Sequence, residues 1–103
     1  MIQFNTDNNI QGSEQRRAHF EPIISEQLSR FSDQVTRIEV HLTDENSHKQ
    51  GINDIRCMLE ARLEGMQPIA VTNLAADQHQ AVKGAIDKLK SALDKRIGKL
   101  RTY

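Results

Sequence analysis

The chain has 103 residues, 37% hydrophobic and 27% charged, with 14 basic residues against 14 acidic ones. That is enough for one modest core and too little for two, and the composition is that of a folded soluble domain rather than a disordered tail. No apolar run approaches the ~20 residues that span a bilayer. The start, Met-Ile-Gln-Phe-Asn-Thr, lacks the basic head and apolar centre of a signal segment. A lone cysteine, Cys57, excludes an internal disulfide and agrees with a reducing cytoplasm.

Ile2 and Phe4 alternate with polar neighbours in a short strand, which closes in the turn-forming Asp7-Asn8-Asn9. Ser13 is placed to cap a helix, with Glu14 in its first turn, where the helix dipole favours an acid. Phe20, Ile23, Ile24, Leu28 and Phe31 supply the apolar face of that helix. Pro22 removes a hydrogen bond and crowds the preceding turn, which predicts a kink there or two abutting helical pieces. Ile38, Val40 and Leu42 then alternate with Arg37, Glu39 and His41 in a half-buried strand. After a polar loop over 43–51, Ile55, Cys57, Leu59, Ala61 and Leu63 alternate with Arg56, Met58, Glu60, Arg62 and Glu64 in the clearest strand of the chain. Gly65 ends it, and a fourth strand is predicted around Pro68 to Asn73. Asp77 caps a final helix over roughly 77–101, with Gly84 and Gly98 as soft points.

The order is β-α-β-β-β-α, an α+β fold in one domain, 1–103. A four-stranded sheet with one polar face must bury the other, and two amphipathic helices are available to cover it. Arg56, Met58, Glu60 and Arg62 fall on the open sheet face, where cross-strand ion pairs with Arg37 and Glu39 are expected.

The neutral total conceals a polarised chain. Residues 83–103 carry seven basic and two acidic residues, a net of +5, and residues 1–82 carry seven and twelve, a net of −5. A local cationic excess points to a polyanionic partner. At about 100° per residue, Lys88, Lys95 and Lys99 lie roughly opposite a stripe of Ile86, Leu93 and Ile97. Lys83, Lys90 and Arg101 flank that stripe on one side and Arg96 on the other. The competing reading is that basic residues near a helix C-terminus complement its dipole and keep the surface wet. Four aromatics and no tryptophan argue against a dedicated base-stacking platform.

With the elements in place, the chain resembles the short ribosome hibernation promoting factors and ribosome-associated inhibitors, also called sigma-54 modulation proteins. The resemblance runs over essentially the whole length. It is carried by Ile2-Gln-Phe-Asn, Asn8-Asn9-Ile10 and Ser13-Glu14, and most strongly by Asp77, Ala81-Val82, Gly84, Ile86-Asp87-Lys88-Leu89, Leu93, Lys95 and Lys99-Leu100. It implies a double-stranded-RNA-binding-domain-like fold without a C-terminal dimerisation domain. It further implies a non-catalytic cytoplasmic protein that binds the small ribosomal subunit through ribosomal RNA and idles translation under stress. The chain is expected to be monomeric off the ribosome, with no cofactor, membrane or small-molecule substrate. Lys83, Lys88, Lys90, Lys95, Arg96, Lys99 and Arg101 become the expected phosphate contacts. His79, where the family often has tyrosine, becomes a further RNA contact. The near-neutral first helix departs from the family pattern, and so does the loop with Asp44, Glu45 and Asn46. They leave open a rival reading, an interaction module of the same fold that acts on another protein.

His41, Asp44, Glu45 and His48 hold zinc-ligand types, yet their spacing matches no metal signature and a solvated loop is the plainer reading. Cys57 shares the phase of Ile55, Leu59 and Ala61, which makes it a small core residue rather than a nucleophile. No phosphate-binding glycine loop, nucleophile elbow or zinc spacing occurs in the chain. An enzyme is not expected.

Overall fold

Alternation of apolar and polar residues builds the sheet, and the computed structural model describes it through residues 2–6, 13–44 and 55–100. The elements are β1 (Ile2–Thr6), α1 (Ser13–Gln27), a 3₁₀ turn (Ser29–Phe31), β2 (Val35–Asp44), β3 (Ile55–Leu63), β4 (Ile69–Ala75) and α2 (Gln78–Leu100). The four strands form one sheet in the order β1-β2-β3-β4. β1 and β2 are parallel, so their connection must cross over the sheet, and α1 supplies that crossover. The other two pairings are antiparallel. The expected α+β order stands, with β4 running to Ala75, slightly beyond the predicted strand.

One face of the sheet is the core. Ile38, Val40 and Leu42 of β2 pair with Ala61, Leu59 and Cys57 of β3, and all six are buried. The register slips between Val35 and Arg37, which leaves Thr36 as an extra residue whose hydroxyl donates to the Arg62 carbonyl at 3.1 Å. Val35 and Ile38 differ in phase along an unbroken strand, so this bulge is what lets both pack on the core. α1 covers the sheet with Phe20, Ile24 and Leu28, one face at four-residue spacing, and Phe31 continues it. Pro22 does not divide α1, which runs through it without a break. Pro22 is exposed, on the side of α1 turned to water, where a carbonyl left without a donor can be solvated. The junction of helical pieces falls instead at Leu28. The Asp7–Asn9 turn and the Ser13 side chain lie outside the described residues.

α2 begins as expected: Asp77 Oδ1 accepts the Gln80 amide at 2.8 Å, an N-cap interaction. Gly84 is not a soft point. A Cβ there would lie 2.2 Å from Asn73 Nδ2 and 2.6 Å from its Cγ. Asn73 projects from the inner face of β4 and donates to the carbonyls of Gln80 and Ala81 at 3.4 and 3.2 Å. Glycine therefore lets the helix settle directly on a polar strand residue. A Cβ at Gly98 meets nothing within 4 Å.

The open sheet face opposes like charges, Arg37 against Arg62 and Glu39 against Glu60. Diagonal pairing relieves this: Glu39 Oε2 accepts from Arg37 Nη2 and from Arg62 Nε at 3.3 Å, and Arg62 Nη2 lies 3.8 Å from Glu60 Oε1. Of the expected cross-strand ion pairs Arg62–Glu39 is present, whereas Arg37–Glu39 and Arg62–Glu60 each lie within one strand. The Arg37 hydrogen bond, aided by the charges of Arg37 and Arg62, holds the Glu39 carboxyl below the usual glutamate range.

Glycine-to-alanine exchange inside a helix ordinarily stabilises by ~0.5–1 kcal/mol. Gly98→Ala should do so. Gly84→Ala should instead destabilise by ~1–3 kcal/mol through overpacking, and adding Asn73→Ala should recover much of that loss. Urea unfolding of the single and double variants measures the reversal and the coupling. A second expectation concerns acid. A depressed carboxyl stabilises the fold fully above its unfolded value of ~4.3, and that contribution is lost as pH falls through the lower folded value. Urea midpoints across the acid range should therefore fall less steeply for Glu39→Gln than for the parent protein.

Candidate nucleic-acid interface

α2 lies across β3 and β4, and its buried residues decide where its charges point. Ala81, Val82, Ala85, Ile86, Leu89, Leu93 and Ile97 are all buried. At about 100° per residue that face centres near Leu89, not near Ile86 and Ile97, because the two alanines widen it toward β4. The lysines consequently fall into two rows. Lys83 and Lys90, expected on one flank of the stripe, lie on the flank that borders α1. Lys88 and Lys95 are not opposite the core but run along the β4 edge. Between the rows the outward crest carries Gln80, Asp87, Ser91, Asp94 and Gly98, all exposed, with Asp87 and Asp94 its acids.

The basic residues differ in what they touch. Lys83 and Lys95 are exposed and make no hydrogen bond or ion pair within the described residues. Lys88 is exposed and donates to the Thr72 carbonyl at 2.8 Å, which occupies one acceptor of β4, an edge strand of the sheet. Lys90 donates to Gln27 Oε1 at 3.3 Å and ties the two helices together. Arg96 donates to the Gln67 carbonyl at 3.0 Å and anchors the end of α2 on the β3–β4 connection. The backbone of Lys99 belongs to α2; its side chain and Arg101 lie outside the described residues.

No carboxylate neutralises the four described lysines in an ion pair. Several arginines, by contrast, are engaged. Arg17 pairs with Glu21 at 3.0 Å, and Arg30 pairs with Asp94 at 2.8 Å while stacking over the Phe31 ring at 4.4 Å. The Arg30 hydrogen bond, with the charges of Arg30 and Lys90, holds Asp94 below the usual carboxylate range. In α1, Arg17 is engaged while Arg16 is exposed and makes no ion pair within the described residues, and α2 carries the longer row of cations.

His79 stands at the start of α2 beside α1. Its ring centroid is 5.6 Å from that of His19 and 6.0 Å from that of Phe20, and His19 meets Phe20 edge-on at 4.8 Å. His19 was absent from the sequence-based set. The count that argued against aromatic platforms covered Phe, Trp and Tyr, whereas two of these three rings are imidazoles. His41 faces the open sheet side, its Nε2 3.6 Å from Glu39 Oε1. The Asp44 side chain, Glu45 and His48 lie outside the described residues. Cys57 is buried, and burial pushes its thiol up to about 12.

The architecture is an α+β sheet layered by two helices, with lysine rows along the closing helix. Residues 3–101 match the family described as sigma 54 modulation protein / S30EA ribosomal protein. The chain belongs to that family of ribosome-associated modulation factors. Among solved structures it resembles the N-terminal domain of Protein Y from Thermus thermophilus, with a TM-score of 0.70 and 19% identity over 91% of this chain and 96% of that one. At that identity the likeness concerns the fold. A comparison with curated proteins gives no match. No helix among the described residues is long and apolar enough to cross a membrane.

The raised thiol predicts that Cys57 is unreactive toward a disulfide reagent at neutral pH in the native protein and reacts fully on unfolding in urea. Titration of the native and unfolded protein with that reagent checks it.

Proposed function

We propose that this protein is a non-catalytic cytoplasmic factor that binds the small ribosomal subunit through ribosomal RNA and blocks translation sterically, idling ribosomes under stress. The observation that carries this reading is the set of α2 lysines, Lys83, Lys88, Lys90 and Lys95, left without carboxylate partners on a rigid helix in a chain that belongs to a ribosome-associated family. Ammonium groups on flexible stems follow a phosphate backbone without reading bases. Lys83 and Lys95 are the leading contacts, since nothing else engages them. Lys88, Lys90 and Arg96 contribute charge while also serving the fold. Lys99, Arg101 and His79 complete the proposed surface. The protein acts as a monomer when off the ribosome.

Four lysines displacing counterions give a log–log salt slope of roughly −3 by the single-strand coefficient. Co-sedimentation with purified small subunits across a salt series should show it, and a flat response would reject the electrostatic mechanism. Lys83→Gln with Lys95→Gln should weaken binding and shift the slope toward zero by about one to two, with thermal unfolding essentially unchanged.

A second reading, docking on another protein, draws on the open sheet face, where Leu74 is 52% exposed. Ribonuclease separates the two: partners recovered through RNA are lost after treatment, and partners held by the sheet remain.

A further inference from the structure

Between α1 and α2 runs a groove of about 250 Å³ that joins an apolar floor to a ring wall and a charged rim. Phe20, Ile23, Val82 and Ile86 make the floor, His79 is the wall, and Lys83 and Asp87 stand at the rim. Its volume falls below the ~300–1,000 Å³ of sites for drug-sized molecules, so it suits one planar fragment. The His79 ring is braced by His19 at 5.6 Å and by the 2%-exposed Phe20 at 6.0 Å. A base cannot insert between the two histidines. That would need two stacking steps of ~3.4 Å each, and the rings are 5.6 Å apart. Stacking is therefore directed onto the side of His79 that lines the groove.

The rim adds selection. Asp87 is exposed and makes no ion pair within the described residues. A carboxylate beside an apolar floor accepts an N–H and repels a phosphate, and carboxylates read the amino group of cytosine in this way. Lys83, four residues earlier on the same helix, lies within reach of the phosphate that such a base would carry.

We propose that the α1–α2 groove takes one unstacked nucleobase bearing an exocyclic amine, with His79 stacking on it, Asp87 accepting its amino proton and Lys83 holding the adjoining phosphate. The inference rests on the ribosomal-RNA reading above and adds base selection to it. Uracil presents a carbonyl in place of the amine and so opposes Asp87.

The test is fluorescence anisotropy with three end-labelled RNA octamers of equal charge: oligocytidine, oligouridine and an abasic strand. Oligocytidine should bind about tenfold tighter than the abasic strand, a difference of ~1.4 kcal/mol. His79→Ala should bring oligocytidine down to the abasic level and leave the abasic strand unchanged. Asp87→Asn should abolish the preference for oligocytidine over oligouridine, and Lys83→Gln should weaken all three alike. Equal binding of the three octamers overturns the inference, as does a His79→Ala loss shared by the abasic strand. A photoreactive leucine analogue at Ile23 should crosslink to RNA within small subunits, whereas a crosslink to protein would give the groove to an apolar side chain and overturn the proposal. If the octamers are indistinguishable while the parent protein still co-sediments with small subunits, base selection falls and the ribosomal reading stands. Loss of co-sedimentation removes both.

Discussion

The seating of α2 on the β3–β4 half of the sheet is the constraint on which the remaining structure depends. A four-stranded sheet with one charged face has a single apolar side to cover, and α2 closes it with Ala81, Val82, Ala85, Ile86, Leu89, Leu93 and Ile97. Close approach at Gly84, where Asn73 bonds to two helix carbonyls, fixes one end. Arg96 on the Gln67 carbonyl fixes the other. A helix held at both ends cannot rotate about its axis without exposing leucines, so the directions of its charges follow from its packing.

Zero net charge is no obstacle to a polyanion partner, because the cations are sorted. Four arginines take the internal work: Arg17 with Glu21, Arg30 with Asp94, and Arg37 and Arg62 with Glu39. Their planar forks suit carboxylates. The lysines of α2 are left to solvent or to neutral carbonyls. At physiological salt a partner senses charges within ~8 Å, so the local balance on the helix matters more than the total. Solvent screening leaves the exposed ion pairs little net effect on stability. Their larger effect is to withdraw guanidinium groups from competition for phosphate.

Much of this was legible in the sequence, and the misses have identifiable causes. Period-two alternation located β2 and β3, including the inward phase of Cys57, since a half-buried strand writes its burial directly into residue order. Asp77 announced the start of α2 by its capping chemistry. The helix wheel misplaced Lys88 and Lys95 because Ala81 and Ala85 have too little apolar surface to stand out in a stripe, although small residues are what allow close helix–sheet contact. Gly84 looked like a weakness in isolation; only the tertiary approach of Asn73 explains it. The His19–Phe20–His79 cluster joins two helices far apart in sequence, and no local period encodes that meeting. Pro22 misled because its cost depends on whether the orphaned carbonyl reaches water, a matter of which side of α1 it occupies.

The crest of α2 has a consequence for how a phosphate chain can lie on it. Residues Lys83 and Lys90, like Lys88 and Lys95, are seven apart, about 10 Å along the axis. Each row thus offers charge at a spacing a flexible backbone can follow. Asp87 and Asp94 lie between the rows but differ in effect. Asp94 is compensated by Arg30 at 2.8 Å, with Lys90 adding positive field. Asp87 has no such partner among the described residues. The cationic field is therefore continuous over the crest near Asp94 and divided near Asp87. A strand bound as proposed would pass across α2 toward its C-terminal half and be confined to one row or the other toward its N-terminal half. On the proposed reading, a backbone following Lys90 and Lys83 on the α1 side would run toward His79, and the unpaired Asp87 would keep it in that row.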